Sequence, residues 1–282
     1  MNKKSFNLAV CQMKVTMDKK ANLDRAETMI SEASQKGSDM VVLPEMFNCP
    51  YENSCFPQYA EEGEEGETFR FISDLAKRNQ VYIVAGSIPE RDGGRIYNTS
   101  FAFDKEGNFI AKHRKMHLFD IEIPGEVTFR ESDTLSAGNT ITVVETEYCK
   151  IGLAICYDIR FPEMMRLVTL EGADLLVLPA AFNTVTGPAH WELLMRTRAI
   201  DNQIFVAAAS PARNENASYK AYGHSMIVDP WGNVLNTAGV EEDIIISKID
   251  LAVVDRVRRK LPLYKHRRTD VYNIDSIASS FK

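Results

Sequence analysis

Ile151-Gly-Leu-Ala-Ile-Cys156-Tyr-Asp-Ile-Arg160-Phe-Pro-Glu163 is an apolar run that stops at a cysteine and passes at once into polar residues. Residues 151–155 are apolar apart from Gly152, short enough for a strand buried on both faces. Pro162 with Glu163 suits the first turn of a helix. Cys156 therefore ends a strand close to a helix N-terminus, whose partial positive charge favours a thiolate nucleophile. Free cysteine is also among the most buried residue types, so core filler is the competing reading of the same pattern.

A strand that runs straight into charge recurs twice upstream. Residues 39–43 read as a buried strand followed by Pro44-Glu45. Residues 98–103 and 109–112 read as a hairpin turned through Asp104-Lys-Glu-Gly107, and its second arm ends in His113-Arg-Lys115-Met-His117. Around these, residues 6–13, 81–87, 141–145, 175–178, 204–209, 225–228, 234–236 and 244–249 have strand character. Helical spacing of apolar residues appears over 21–35, 68–78, 164–171 and 190–199. The acidic Glu61-Glu62-Gly-Glu-Glu-Gly66 stretch reads as a solvated lead-in to the second helix. Helices alternate with strands at both ends, whereas hairpin signals dominate near 95–155 and 222–249. That mixture predicts an α/β protein with two mixed sheets covered by helices, in one domain spanning residues 1–282.

Composition narrows the function. The chain has 282 residues, 45% hydrophobic and 26% charged, enough to bury a large core, and its net charge of −6 disfavours a nucleic-acid or anionic-membrane surface. His113-Arg-Lys115 and Lys265-His-Arg-Arg268 are local basic clusters that read as solvated patches. The five cysteines form no CxxC pair, which predicts reduced thiols and a cytoplasmic protein. No apolar run is long enough for a signal-peptide core or a membrane span.

Glu45, Lys115 and Cys156 thus stand at three strand ends, a coherent set for acyl transfer. Glu45 takes the thiol proton and hands it to a leaving amine, work typically worth about 10² to 10⁴ in rate. Lys115 and the backbone N–H of Tyr157 meet the charge that develops on the carbonyl oxygen. An unperturbed carboxyl titrates near 4 and a thiol near 8.5, so this pairing needs burial to raise the first and a cation to lower the second. Spacing alone does not make the three converge.

Leu43-Pro-Glu45-Met-Phe47, His113-Arg-Lys115-Met-His-Leu-Phe119 and Gly152-Leu-Ala-Ile-Cys156-Tyr-Asp-Ile-Arg160-Phe-Pro-Glu163 resemble, in the family's order, the three signature blocks of the nitrilase superfamily. These are carbon-nitrogen hydrolases with a Glu-Lys-Cys triad. The resemblance runs from Phe6-Asn-Leu-Ala-Val-Cys-Gln-Met13 to Arg267-Arg-Thr-Asp-Val-Tyr272. It implies a four-layer α-β-β-α sandwich (nitrilase-like), a homodimer, a C-terminal segment near 250–282 that is extended or engaged in dimer contacts, and no metal or organic cofactor. It also places the superfamily's second active-site glutamate on Glu131, where it would orient Lys115 and the incoming amide.

Pro44-Glu-Met-Phe-Asn48 with Pro50-Tyr51, Phe119-Asp-Ile-Glu-Ile-Pro-Gly125 with Thr128-Phe-Arg-Glu131, Ala181-Phe-Asn-Thr184 and Ala209-Ser-Pro-Ala-Arg213 are most similar to the omega-amidase branch. Those enzymes act on α-ketoglutaramate and α-ketosuccinamate. Arg160 is then assigned to the substrate's α-carboxylate, which a guanidinium fork matches bidentately; a salt bridge to Asp158 or Glu163 is the alternative. Tyr51, Tyr157, Phe182 and Thr184 complete the expected substrate pocket. Cys49, Glu52 and Val185 depart from the branch pattern, leaving the choice between the two oxo-amides open. Deaminated-glutathione amidases share Cys156-Tyr-Asp-Ile-Arg160, Gly187-Pro-Ala-His-Trp191 and Tyr222-Gly-His-Ser225. N-carbamoyl amino acid and polyamine amidohydrolases share the triad.

More distant readings fare worse. A papain-like hydrolase would recruit His113, His117, His190 or His224, but the surroundings of Cys156 carry neither that family's signature nor the glycines of a nucleophile elbow. HExxH, paired CxxC and GxGxxG are all absent, which disfavours zinc and dinucleotide enzymes. A catalytically dead scaffold would not need Glu45, Lys115 and Cys156 together.

Overall fold

The chain order explains how two sheets form. The computed structural model describes residues 5–276 apart from 126. It opens with β1 (Ser5–Gln12), α1 (Lys19–Gln35), β2 (Met40–Val42), α2 (Phe56–Tyr59), α3 (Glu67–Asn79), β3 (Tyr82–Val84), β4 (Ile88–Asp92), β5 (Arg95–Phe103) and β6 (Phe109–Arg114). A hairpin of β7 (Asp120–Ile123) and β8 (Val127–Arg130) follows, then β9 (Thr142–Glu145), β10 (Lys150–Leu153), α4 (Pro162–Leu170), β11 (Leu175–Pro179), α5 (Thr186–Asn202) and β12 (Phe205–Ala209). The chain closes with β13 (Met226–Val228), β14 (Val234–Thr237), β15 (Asp243–Asp250) and α6 (Ala252–Lys260).

The first sheet runs β15-β1-β2-β3-β5-β4, with β6 also paired to β5, and the second runs β14-β13-β12-β11-β10-β9. Both are mixed: β1, β2 and β3 are parallel and so are β10, β11 and β12, while the flanking strands are antiparallel. Side chains alternate along each strand, which sorts the core into layers. Leu8, Val10, Met40 and Val42 pack against Leu153, Leu175, Val177 and Ala207 between the sheets. Ala9, Cys11, Val41 and Leu43 turn the other way onto Leu23, Met29 and Ile30 of α1 and Ile72 and Leu75 of α3. Leu176, Leu178, Val206 and Ala208 meet Met165 and Val168 of α4 and Trp191, Met195 and Ala199 of α5. The result is the expected α-β-β-α sandwich.

Local chemistry fixes the helix ends. Asp18 caps α1 by accepting from the Ala21 N–H at 3.1 Å. The Asn183 side chain accepts from the N–H groups of Val185 and Thr186, so α5 starts earlier than the apolar spacing predicts. Glu61, expected in solvent, is buried instead; it accepts from the Thr68 N–H and hydroxyl and pairs with Lys19 at 2.7 Å. Within the C-terminal segment, expected to be extended or engaged in dimer contacts, residues 252–260 form α6, and residues 277–282 lie outside the described residues.

Candidate active site

Glu45 follows β2 across Leu43 and Pro44. Gly86 lies against this bend with a φ of +50°, and a Cβ there would stand 2.0 Å from the Pro44 carbonyl oxygen, so only glycine fits. The Glu45 carboxylate is fully buried. Its Oε1 accepts from Asn98 Nδ2 at 2.8 Å and Lys115 Nζ at 3.0 Å, its Oε2 accepts from the Ala181 N–H at 2.7 Å, and the Cys156 thiol donates to it as well. Burial raises its pKa above the ordinary 4.5; Lys115 opposes that and Glu131 adds to it.

Lys115 is the first residue beyond β6, its N–H held by the Asn98 carbonyl at 2.8 Å. Its buried ammonium reaches Glu45, both oxygens of Glu131 at 2.9 and 2.8 Å, and the Tyr51 hydroxyl at 3.3 Å. Burial alone would lower its pKa, but Glu131 and Glu45 hold it above the usual lysine range, so it stays an ammonium. Glu131 follows β8 and is fixed by the Phe119 N–H at 2.6 Å and the Tyr51 hydroxyl at 2.6 Å.

Cys156 departs from the expected strand. Pairing of β10 stops at Leu153, and Cys156 opens a one-turn 3-10 helix, Cys156–Arg160, with a φ of +46°. A β-carbon-bearing residue in the left-handed region is a strained presentation of the kind found at nucleophiles. The helix termini do not make it a resting thiolate. Burial pushes the thiol well above its usual pKa and the Glu45 charge adds to this, against Lys115 and the Ala181 N–H.

Asp158, two residues on, ties the site together. Its carboxylate accepts from His113 Nε2 at 3.1 Å, His117 Nδ1 at 2.8 Å, and the N–H groups of Met116, His117 and Ile155. Burial would raise its pKa; the bonds from the two histidines outweigh that and hold it well below the usual carboxylate range. These histidines are thus committed to Asp158. His190 faces Arg160, and His224 faces the Tyr222 carbonyl.

The structure brings Glu45, Lys115, Glu131, Cys156 and Tyr51 into one cluster. Arg160 lies over the Phe182 ring at 4.8 Å and the Tyr157 ring at 5.6 Å, and its Nη1 is 3.2 Å from His190 Nδ1. Its Nε is buried without a hydrogen-bond partner, and among the described residues it pairs with neither Asp158 nor Glu163. Thr184 is exposed on the turn before α5, whereas the neighbouring Asn183 is buried. Residues not foreseen are Asn98, Asp158, the Ala181 N–H and Tyr219. The Tyr219 ring lies 4.6 Å from Tyr51, and its hydroxyl donates to the Ala181 carbonyl. A cavity beside Glu45, Tyr51, Ala181 and Tyr219 extends to Cys49 and Asn214. Among the described residues no group of three or more His, Cys, Asp or Glu side chains is placed to hold a metal ion.

A four-layer sandwich with a buried carboxylate, ammonium and thiol at its strand ends is the arrangement of an amide-hydrolysing enzyme, and the chain belongs to the carbon-nitrogen hydrolase family, which matches residues 7–259. Within the nitrilase superfamily it is similar to omega-amidase NIT2 of Mus musculus, 50% identical over 272 residues covering 96% of this chain and 98% of that protein. Omega-amidase NIT2 of Homo sapiens is 49% identical over 271 residues, with the same coverage. Among solved structures, Saccharomyces cerevisiae Nit3, a member of branch 10 of the nitrilase superfamily, superposes with a TM-score of 0.87 at 44% identity, covering 94% of this chain and 97% of Nit3.

Proposed function

We propose that the chain is an omega-amidase that hydrolyses the terminal amide of α-keto acid amides such as α-ketoglutaramate and α-ketosuccinamate, giving the oxo-dicarboxylate and ammonia. The observation that carries the mechanism is the convergence on one carboxylate, Glu45, of the Cys156 thiol, the Lys115 ammonium and the Ala181 N–H. Glu45 accepts the thiol proton as Cys156 sulfur bonds to the amide carbon, and the carbonyl oxygen takes up negative charge against Lys115 and the Tyr157 N–H. Glu45 then passes the proton to nitrogen, the C–N bond breaks, and ammonia leaves a thioester. Water gives a proton to Glu45 and attacks the thioester; the C–S bond breaks, and the thiol regains its proton from Glu45. Glu131 holds Lys115 through both events.

Arg160 takes the α-carboxylate. A guanidinium stacked on Phe182 and Tyr157 beside the nucleophile, with its Nε lacking a hydrogen-bond partner, supports this role, and Tyr51 walls the acyl chain. The enzyme works as one domain over residues 1–282 and as a cytoplasmic homodimer. The lack of any CxxC pair among the five cysteines supports a reducing compartment, and Leu193 and Ile200, exposed along α5, support a self-association face.

The test is ammonia release from α-ketoglutaramate, with glutamine, N-carbamoyl-β-alanine and deaminated glutathione in parallel, by wild type and Cys156→Ala. Cysteine-dependent release mainly from α-ketoglutaramate is expected. Turnover of another amide alone would remove the omega-amidase reading, and release by Cys156→Ala would remove the thioester.

A further inference from the structure

Tyr219 sits on the irregular segment between β12 and β13, yet it reaches the centre of the site. Its ring lies against Tyr51 at 4.6 Å and Phe129 at 5.8 Å. Its hydroxyl donates to the Ala181 carbonyl and stands within electrostatic reach of Cys156, Glu45, Glu131 and Arg160. Ala181 is thereby held at both ends, by Tyr219 at its C=O and by Glu45 at its N–H. The segment is tied down ahead of this ring: Ser218 donates to Glu52 at 2.5 Å and Asn214 donates to the Val15 carbonyl at 3.4 Å.

Tyr219 also lines the cavity that runs from Glu45 and Tyr51 to Cys49 and Asn214. The same side chain thus belongs to the reacting cluster and to a cavity wall beside it. We propose that Tyr219 determines the acyl-chain length the enzyme accepts, by narrowing this cavity where it meets the reacting cluster. Resting on the omega-amidase reading, the argument is geometric. A substrate fixed at Cys156 through its amide carbon and at Arg160 through its carboxylate spans a set distance. A homologue with extra methylenes between those ends must bow sideways, and a bow into the cavity would meet the Tyr219 ring that lines it. Fitting or refusing one methylene is worth roughly 10–200-fold in kcat/KM.

The experiment compares kcat/KM for α-ketoglutaramate and for the terminal amides of the next two longer α-keto dicarboxylic acids, by ammonia release, in wild type, Tyr219→Phe, Tyr219→Leu and Tyr219→Ala. Wild type favours the five-carbon substrate. Tyr219→Ala, which opens the wall, raises the ratio of longer to five-carbon substrate at least tenfold, Tyr219→Leu raises it less, and Tyr219→Phe, which keeps the ring, leaves the ratio as in wild type. An unaltered ratio in Tyr219→Ala and Tyr219→Leu proteins with wild-type circular dichroism would overturn the proposal. A shift in Tyr219→Phe equal to that in Tyr219→Ala would also overturn it, because the hydroxyl rather than the wall would then be responsible. A wild-type enzyme inactive on all three keto amides would instead overturn the omega-amidase reading.

Discussion

His113 Nε2 lies 3.1 Å from the Asp158 carboxylate, both side chains fully buried, so the strand that delivers Lys115 is bonded to the turn that delivers Cys156. His117 repeats the tie at 2.8 Å, and its ring stacks on Phe161 at 3.6 Å, one residue before α4. The two sheets therefore meet through a charge-assisted bond as well as through apolar packing. The relative position of ammonium and thiol depends on it.

Replacing Asp158 with Ala is expected to cost about 3–5 kcal/mol, because it strips a buried acceptor from five donors at once. The group's folded pKa is depressed, so its contribution is present above the ordinary 3.8 and is lost as pH falls towards the folded value. Urea unfolding of wild type and variant should show a wide gap at pH 7 that narrows below pH 4. A gap independent of pH would mean that Asp158 acts by shape alone.

Glu45 has the opposite shift, with a direct kinetic sign. As the proposed base Glu45 works deprotonated, and burial raises its pKa, so kcat/KM should rise with pH along a limb lying above 4.5. Glu45→Gln is expected to lower turnover about 10²–10⁴-fold and to abolish that limb. Stopped-time ammonia assays from pH 4 to 9 provide both readings; near-normal turnover in the variant would remove Glu45 from the chemistry.

Arg160→Lys keeps the positive charge but loses the planar fork and its stacking on Phe182. KM for α-ketoglutaramate should rise on the order of tenfold, in keeping with the loss of about 1.5–3 kcal/mol for a charged hydrogen bond. A neutral primary amide should be nearly unaffected. Equal losses on both substrates would take Arg160 out of carboxylate recognition.

Gly86→Ala is expected to destabilise the fold by more than about 1 kcal/mol, through a Cβ placed 2.0 Å from the Pro44 oxygen and a φ of +50°. It should also misplace Glu45. Thermal unfolding beside kcat measures both, and a variant of unchanged melting temperature would show that the bend relaxes freely.

Much of this molecule is legible in its sequence because strands buried on both faces announce themselves as short apolar runs. The polar residue that ends such a run has only one place to be. That logic reaches Glu45, Lys115 and Cys156. It fails for Asn98, which lies inside β5, where alternation gives a face but no partner, and for Tyr219, whose segment has no period at all. In sequence the nearest cationic neighbour of Asp158 is Arg160, which is why a salt bridge between them stands as an alternative; the fold pairs Asp158 with His113 and His117 instead. Apolar spacing does not show a helix start where the cap precedes the stripe: Asn183 sets the start of α5 ahead of its apolar residues.

The burial of Cys156, only 4% exposed, has a consequence for the enzyme's endurance. Peroxide and alkylating agents consume thiolates, and a buried sulfur that holds its proton offers them no charge. In the proposed mechanism its reactivity is lent by Glu45 for the length of one turnover and withdrawn afterwards. On that reading Cys156 should be consumed by peroxide more slowly than an exposed cysteine of low pKa.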